Sequence, residues 1–262
     1  MRTRKTGRED IPALKALWQE AFGDEQQDID LFFETVYPNA TGFCAEDGGE
    51  LVSMLFALPQ TIVKEEKQLK CAYLYAVATK KDRSALLAYA EKELRKRYVE
   101  ALLLSPASER LADFYAERGF TRQTGAKKTL LDCAQPTGQA TEIGVQDYAG
   151  LRETALWDIP HVRYDRAQLE YAMAGGKFYC LMAGYAMGCA AVKDGKDGVQ
   201  AVVCELLPGT EGLGALAEKR GAGKYEVVSS LPGEDGETWC MLKWLGRAYP
   251  ELEPVYMGFS LE

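Results

Sequence analysis

Residues 69–104 constrain the fold more tightly than any other stretch of the chain. The apolar run LKCAYLYAVA (69–78) meets a charged turn, Lys80-Lys81-Asp82-Arg83, which opens straight into a helical pattern over residues 84–98. The apolar run ALLL (101–104) follows. In the helix, Leu87, Ala90, Leu94 and Tyr98 fall on one face and Glu91, Lys92, Arg95 and Lys96 on the other, so the expected packing is sheet on one side and water on the other. A strand that leaves through a helix and is followed at once by another strand returns parallel to the first. The chain is therefore committed to an α/β architecture with at least one parallel strand pair.

The preceding segments read as two helices and a hairpin. Asp10 is placed to cap a helix with Pro12 in its first turn, and Ile11, Leu14, Leu17, Trp18, Ala21 and Phe22 share one face before Gly23. A second helix carries Ile29, Phe32, Phe33 and Val36 and ends before Pro38, so no strand is expected ahead of these helices. Residues 42–45 and 51–63 alternate as strands around Asp47-Gly48-Gly49, and the charged residues 64–68 reverse the chain into the strand at 69. Beyond 104, a helix is expected from Pro106 to Arg118 with Gly119 ending it, and residues 126–132 complete the sheet.

After a polar connection, Gln135-Pro136-Thr137-Gly138-Gln139, the pattern repeats more weakly. Helices are expected at 147–156 and 166–173, strands at 178–183, 185–193 and 199–206, a helix at 213–219 and a strand at 225–229. Segments 239–245 and 255–261 close this half.

Composition excludes several chemistries. The net charge is −8, against a general nucleic-acid surface, and no apolar run reaches the length of a membrane span. The start MRTRKTGRED lacks the apolar centre of a secretion signal, and the seven dispersed cysteines, none spaced as CxxC, suit buried thiols in a reducing cytoplasm. A cytoplasmic location is expected. One histidine, His161, leaves little from which to build a catalytic triad or an imidazole-rich metal site, and it is read as packed among aromatics with its ring facing solvent.

The order of elements, together with AYLYAVAT (72–79), SALLAYAEKEL (84–94) and FYAERGF (114–120), resembles the GNAT acetyltransferase superfamily over residues 1–133. The resemblance implies transfer of an acetyl group from acetyl-CoA to an amine of a small molecule or peptide, by direct attack on the thioester. It implies that the main chain of Tyr75, Ala76 and Val77 pairs with the pantetheine arm in the manner of an added strand. It implies further that Arg83, Ser84 and Ala85 open the helix that receives the phosphates, and that Tyr115 protonates the departing thiolate. No metal is implied, and a base for the amine is not assigned; Glu46, Glu50 and Tyr73 are the nearest candidates. The partners expected are acetyl-CoA and the amine, without nucleic acid or membrane, and a homodimer stays open.

The sequence departs from the family at the turn after residue 79, where the usual glycine-bearing run is missing. Three readings compete. The domain has lost its loop and its turnover; Lys80, Lys81 and Arg83 hold phosphates as side-chain charges; or a glycine-bearing insert belongs between Lys81 and Ser84. The fold expected is α/β (α+β), with two GNAT-like domains at 1–134 and 140–262, each a mixed, mostly antiparallel sheet flanked by helices. The second domain is expected to be degenerate. The alternative to an enzyme is a non-catalytic acyl-CoA-binding or scaffold protein.

Overall fold

The computed structural model describes residues 1–80 and 83–261, Arg83 by its main chain alone. By contact the chain divides into two compact units, Met1–Thr61 with Leu69–Leu104 and Leu242–Tyr249, and Ile62–Gln68 with Ser105–Met241 and Pro250–Glu262.

The first unit begins with a strand, β1 (Arg2–Lys5), where none was expected. It pairs antiparallel with β2 (Thr41–Asp47), Arg4 opposite Cys44. RTRK contains no apolar residue, so periodicity cannot reveal it; main-chain pairing and Arg4 hold it at the sheet edge. The Arg4 guanidinium donates to both Asp10 carboxylate oxygens (2.6 and 2.8 Å) and through Nε to Glu46 (2.7 Å). Asp10 therefore does not cap α1 (Ile11–Phe22) as expected; its carboxylate also accepts the Gly7 N–H at 2.7 Å, and the Arg4 contact holds it below the usual carboxylate range.

Helices α1 and α2 (Gln26–Thr35) bury the apolar stripes their spacing predicts. Trp18 and Phe32 (4.9 Å between ring centroids) pack on Phe56 of β3 (Glu50–Lys64) and Tyr75 of β4 (Lys67–Thr79) at 5.1–5.8 Å. Gly48 and Gly49 close the β2–β3 turn with φ of 61° and 87°, the left-handed pair that a two-residue hairpin requires. Helix α3 (Arg83–Arg95) buries Leu86, Leu87, Ala90 and Leu94 and leads into β5 (Ala101–Leu104), parallel to β4 as expected. Tyr98 does not face the sheet: the helix has ended before it, and it sits at φ 57° with 85% of its surface exposed. The sheet order here is β1-β2-β3-β4-β5.

The second unit carries α4 (Glu109–Ala116), β6 (Thr121–Cys133), β7 (Gln139–Ile143), α5 (Val145–Ala155), β8 (His161–Arg163), α6 (Arg166–Ala172), β9 (Lys177–Ala183), β10 (Ala186–Asp194), β11 (Ala201–Leu207), α7 (Leu213–Arg220), β12 (Gly223–Ser229) and β13 (Glu237–Trp244), the last ending in the first unit. Its strand order is β13-β6-β12-β11-β10-β9-β7. The β7–β9, β9–β10, β10–β11 and β12–β6 pairs are antiparallel, and β11–β12 is parallel. Strand β6 is longer than expected and pairs with β12; β7 and the three-residue β8 had no sequence signal. One face packs under α7 through Tyr179, Val192, Val203, Tyr225 and Val227. The other receives α5, with the Tyr148 ring tilted against Phe178 at 4.4 Å between centroids.

Candidate active site

The feature that distinguishes β4 is where its pairing stops. Its ladder with β5 joins Cys71 to Ala101, Ala72 to Leu102 and Tyr73 to Leu103. β5 ends at Leu104, while β4 runs on to Thr79. Toward β3 the end of β4 stays tied: Lys80 N–H donates to the Val52 carbonyl (2.8 Å), and the Ser53 and Thr79 hydroxyls are 2.5 Å apart. Within the extension Ala76 has φ 48°. This left-handed conformation costs an alanine about 1–2 kcal/mol, and it breaks the strand's alternation. Ala76 and Val77 are half-buried, and both lie beyond the reach of the β5 ladder.

Tyr75, Ala76 and Val77 thus sit where a second edge could accept an added strand, but the Tyr75 side chain has another function. Its ring packs into the α1–α2 aromatic cluster, 5.6 Å from Trp18 and stacked at 6.1 Å on Tyr73, so any ligand contact it makes is through main chain. Tyr73 is 2% exposed, with its ring in the same stack. Glu46 is held by Arg4 and Glu50 by Lys80, so neither carboxylate stands free as a base.

Of the turn that follows, Lys81 and Asp82 lie outside the described residues. The full sequence is continuous from Lys81 to Ser84, so the expected insert does not exist and the turn is short in the protein itself. Arg83 opens α3, with Ser84 and Ala85 half-buried in its first turn. The Lys80 ammonium is bound to Glu20 (2.6 Å) and Glu50 (3.4 Å), and chiefly through the Glu20 hydrogen bond its pKa is raised. No local pattern predicts this clasp, because Glu20 lies on α1 and Glu50 at the start of β3.

Tyr115 belongs to the second unit, on α4, whose N-terminus is capped by the Ser108 hydroxyl accepting the Leu111 N–H (3.3 Å). The FYAERGF element closes the helix tightly: Phe120 N–H donates to the Tyr115 carbonyl (3.1 Å) around Gly119 at φ 85°. Tyr115 is 5% exposed and packs edge-on against Phe114 and Phe120 at 5.3 and 5.5 Å.

The corresponding segment of the second unit is β11–α7–β12. β11 pairs with β12 from Ala201 to Val203, opposite Tyr225 to Val227, and a bulge follows at Cys204, where β10 steps from Val192 opposite Val203 to Ala191 opposite Glu205. The bulge turns Glu205 away from the α7 side and toward α5. There its carboxylate receives Arg152 Nε (3.0 and 3.1 Å), Tyr256 Oη (2.8 Å) and Tyr148 Oη, all buried. Burial first, then the Glu205 charge, raises the pKa of both phenols. For Arg152 burial acts downward, but the Glu205 and phenol charges outweigh it and the guanidinium stays charged. The glycines at the start of α7 are explained by packing: a side chain at Gly212 would strike Leu181, and one at Gly214 would strike Thr137, whose N–H donates to the Gly214 carbonyl (3.1 Å).

His161 is 1% exposed, not solvent-facing: Nδ1 lies 2.8 Å from the Ile159 carbonyl and Nε2 3.1 Å from Glu153. The seven cysteines are free thiols, four of them buried; burial pushes Cys44 up to about 11 and raises Cys189 and Cys240 further. Among the described residues no group of His, Cys, Asp and Glu is arranged to hold a metal, and no helix is long and apolar enough to cross a membrane.

Residues 2–122 match the model of the acetyltransferase (GNAT) domain. No curated protein matches. Among solved structures, a conserved protein of Enterococcus faecalis V583 described as a probable N-acyltransferase superposes with a TM-score of 0.73 at 15% identity, over 93% of this chain and 72% of that one. A GCN5-related N-acetyltransferase from Anabaena variabilis gives 0.71 at 15% identity, over 94% and 73%. A tandem GNAT protein from the clavulanic acid biosynthesis pathway gives 0.51 at 15% identity, over 95% and 99%. The chain has the mixed α/β fold of these proteins, and its residues 2–122 are similar to the acetyltransferase (GNAT) domain.

Proposed function

We propose that the protein is an acetyl-CoA-dependent N-acetyltransferase of the cytoplasm, built of two GNAT-like halves, 1–134 and 140–262, with its acyl site in the first. The observation that carries this reading is the end of the β4–β5 ladder at Tyr73, with Ala76 turned into the left-handed region just beyond it. Main-chain groups at Tyr75, Ala76 and Val77 pair with the amides of the pantetheine arm and hold the thioester carbonyl polarised. The first turn of α3, at Arg83, Ser84 and Ala85, receives the phosphates with its N–H groups and dipole. The amine attacks the thioester carbonyl, a C–N bond forms, and the C–S bond breaks. Tyr115 gives its phenolic proton to the leaving thiolate and is reprotonated from the ammonium formed on the acceptor, directly or through water.

A second reading, a non-catalytic acyl-CoA-binding or scaffold protein, is favoured by the glycine-free turn and by Lys80 being engaged with Glu20 and Glu50. One experiment separates the two. Acetyl-CoA is titrated against thermal unfolding, and thiol release is then assayed with a panel of amines. A shift with release supports the enzyme, a shift with no release from any amine supports the binding protein, and no shift at saturation removes both.

A further inference from the structure

We propose that the second unit contains a separate pocket, between α5, β8 and α6, that binds a small carboxylate with a compact apolar body. The cavity has a volume of about 280 Å³ and is lined by Arg152, Glu153, Arg163, Tyr164 and Leu169, with Gln146 and Ala149. Its hydrogen-bonding capacity is one-sided. A guanidinium carries five N–H groups. Arg152, whose side chain is 2% exposed, directs Nε to Glu205, one Nη1 hydrogen to the Val162 carbonyl (2.7 Å) and one Nη2 hydrogen to the Met257 carbonyl (3.3 Å). One hydrogen on each terminal nitrogen then has no acceptor among the described residues; Glu153 Oε1 is 4.0 Å from Nη1, too far for a hydrogen bond.

Glu153, the carboxylate that lines the cavity, is already engaged at both oxygens, by His161 Nε2 (3.1 Å) and Arg163 Nε (2.6 Å). That second contact fixes Arg163, whose side chain is 40% exposed, with its terminal nitrogens uncommitted among the described residues. The Tyr164 hydroxyl is spent on the Phe259 carbonyl (2.8 Å). The two guanidinium groups therefore offer unfilled donors, while the single lining carboxylate is already bound at each oxygen, and the apolar lining is Leu169, Ala149 and the Tyr164 ring. A carboxylate, which only accepts, answers the donors, and a short aliphatic body answers the wall. A cationic amine would have to share Glu153 with Arg163 and His161 and would lie beside the two guanidinium charges, and the volume is below the roughly 300 Å³ at which drug-sized pockets begin, so the site is too small for the CoA molecule.

Ligand-observed NMR on the full chain tests this with isobutyrate as probe and isobutyramide as its uncharged isostere. Saturable isobutyrate binding is expected, with the amide at least about tenfold weaker, because the charge-assisted bonds to the guanidinium groups are lost. Arg163→Met, which keeps the stem, is expected to weaken isobutyrate by about tenfold at an unchanged unfolding midpoint. Ala149→Leu fills the cavity while keeping both arginines and is expected to abolish binding. Saturating acetyl-CoA leaves isobutyrate binding unchanged, which separates this pocket from the acyl site. The proposal is overturned by absence of saturable isobutyrate binding across the millimolar range, by equal binding of the amide, by indifference to both variants in folded protein, or by displacement with acetyl-CoA.

Discussion

The ends of β4 and β11 are built alike and finished differently. Each is a strand that pairs in parallel for three residues with a partner reached through a helix, and each then runs on without that partner past an irregularity, at Ala76 in one and Cys204 in the other. Past Ala76, Val77 and Thr79 are half-buried and Ala78 is buried, and the first charged side chain, Lys80, is held by surface carboxylates. Past Cys204 the chain is sealed by its own groups. Glu205 is locked under Arg152 and two phenols, Thr137 covers the start of α7, and Leu181 fills the space at Gly212. A parallel ladder that stops short is thus not sufficient to leave an open strand edge. What decides is whether the protein's own side chains and linker already occupy the space, and the half with the glycines is the one that is occupied.

If the β11 end is structural, breaking its seal should cost stability before anything else. Arg152→Met leaves Glu205 charged and buried without its partner, and a loss of about 3–5 kcal/mol is expected in denaturant unfolding. A loss under about 1 kcal/mol, the range of an exposed pair, would mean that the cluster is solvated and the contrast with β4 is false. The phenols give an independent check through pH. Tyr148 and Tyr256 have folded pKa values raised above the ordinary 10.0, so their stabilising contribution is fully present below pH 10 and is lost as pH rises above it. Each phenol that ionises only on unfolding steepens the decline by about 1.4 kcal/mol per pH unit. Tyr148→Phe should flatten that slope by one phenol.

The contrast is sharpened at the open end by ligand. Acetyl-CoA should slow amide hydrogen exchange at Ala76 and Val77 and leave Leu206 and Leu207 unchanged; protection at β11 instead would reverse the assignment of the halves. Tyr115→Phe should slow thiol release at least about tenfold while the acetyl-CoA midpoint stays within about twofold, as expected when a proton donor is removed without loss of ground-state binding. Equal turnover of the two proteins would take the acid role from Tyr115.

The contrast itself was only partly legible in the sequence. The helices α1 and α2, the Gly48-Gly49 turn and the parallel β4–α3–β5 crossover follow from period and turn chemistry, because each buries a repeating apolar face. β1 escaped because an edge strand of RTRK is held by main chain and ion pairs, which leave no hydrophobic period. The left-handed residue in β4 was hidden because alanine, not glycine or asparagine, occupies it. The sealing of β11 joins Tyr148, Arg152, Glu205 and Tyr256, which no local pattern connects. One signal was present: a glutamate inside the apolar strand AVVCELL requires a buried partner, and that requirement pointed to a cation elsewhere in the chain. The carboxylates around Lys80 were each visible as surface charges, but only folding brings Glu20 of α1 to the end of β4.

Those carboxylates give the smallest effect and the most direct probe of the β4 end. If the phosphates of acetyl-CoA approach the first turn of α3, Glu20 and Glu50 act against them twice: they place negative charge nearby, and they hold the Lys80 ammonium at 2.6 and 3.4 Å, away from any other anion. The Glu20→Gln, Glu50→Gln double variant removes both effects and keeps hydrogen-bonding side chains in place. Because these are exposed charges, screened by solvent, acetyl-CoA should bind only about two- to fivefold tighter than to the native chain at low salt. The gain should fade as ionic strength rises and the Debye length shrinks to a few ångströms, roughly 3 Å at 1 M. Lys80→Met in the same background should return the affinity to near its starting value if the released ammonium is the group that reaches the phosphates. Tighter binding that survives both high salt and the loss of Lys80 would show that the glutamines act by reshaping the β3–β4 end rather than by charge, and the open end of β4 would then have to be explained by packing, as the sealed end of β11 is.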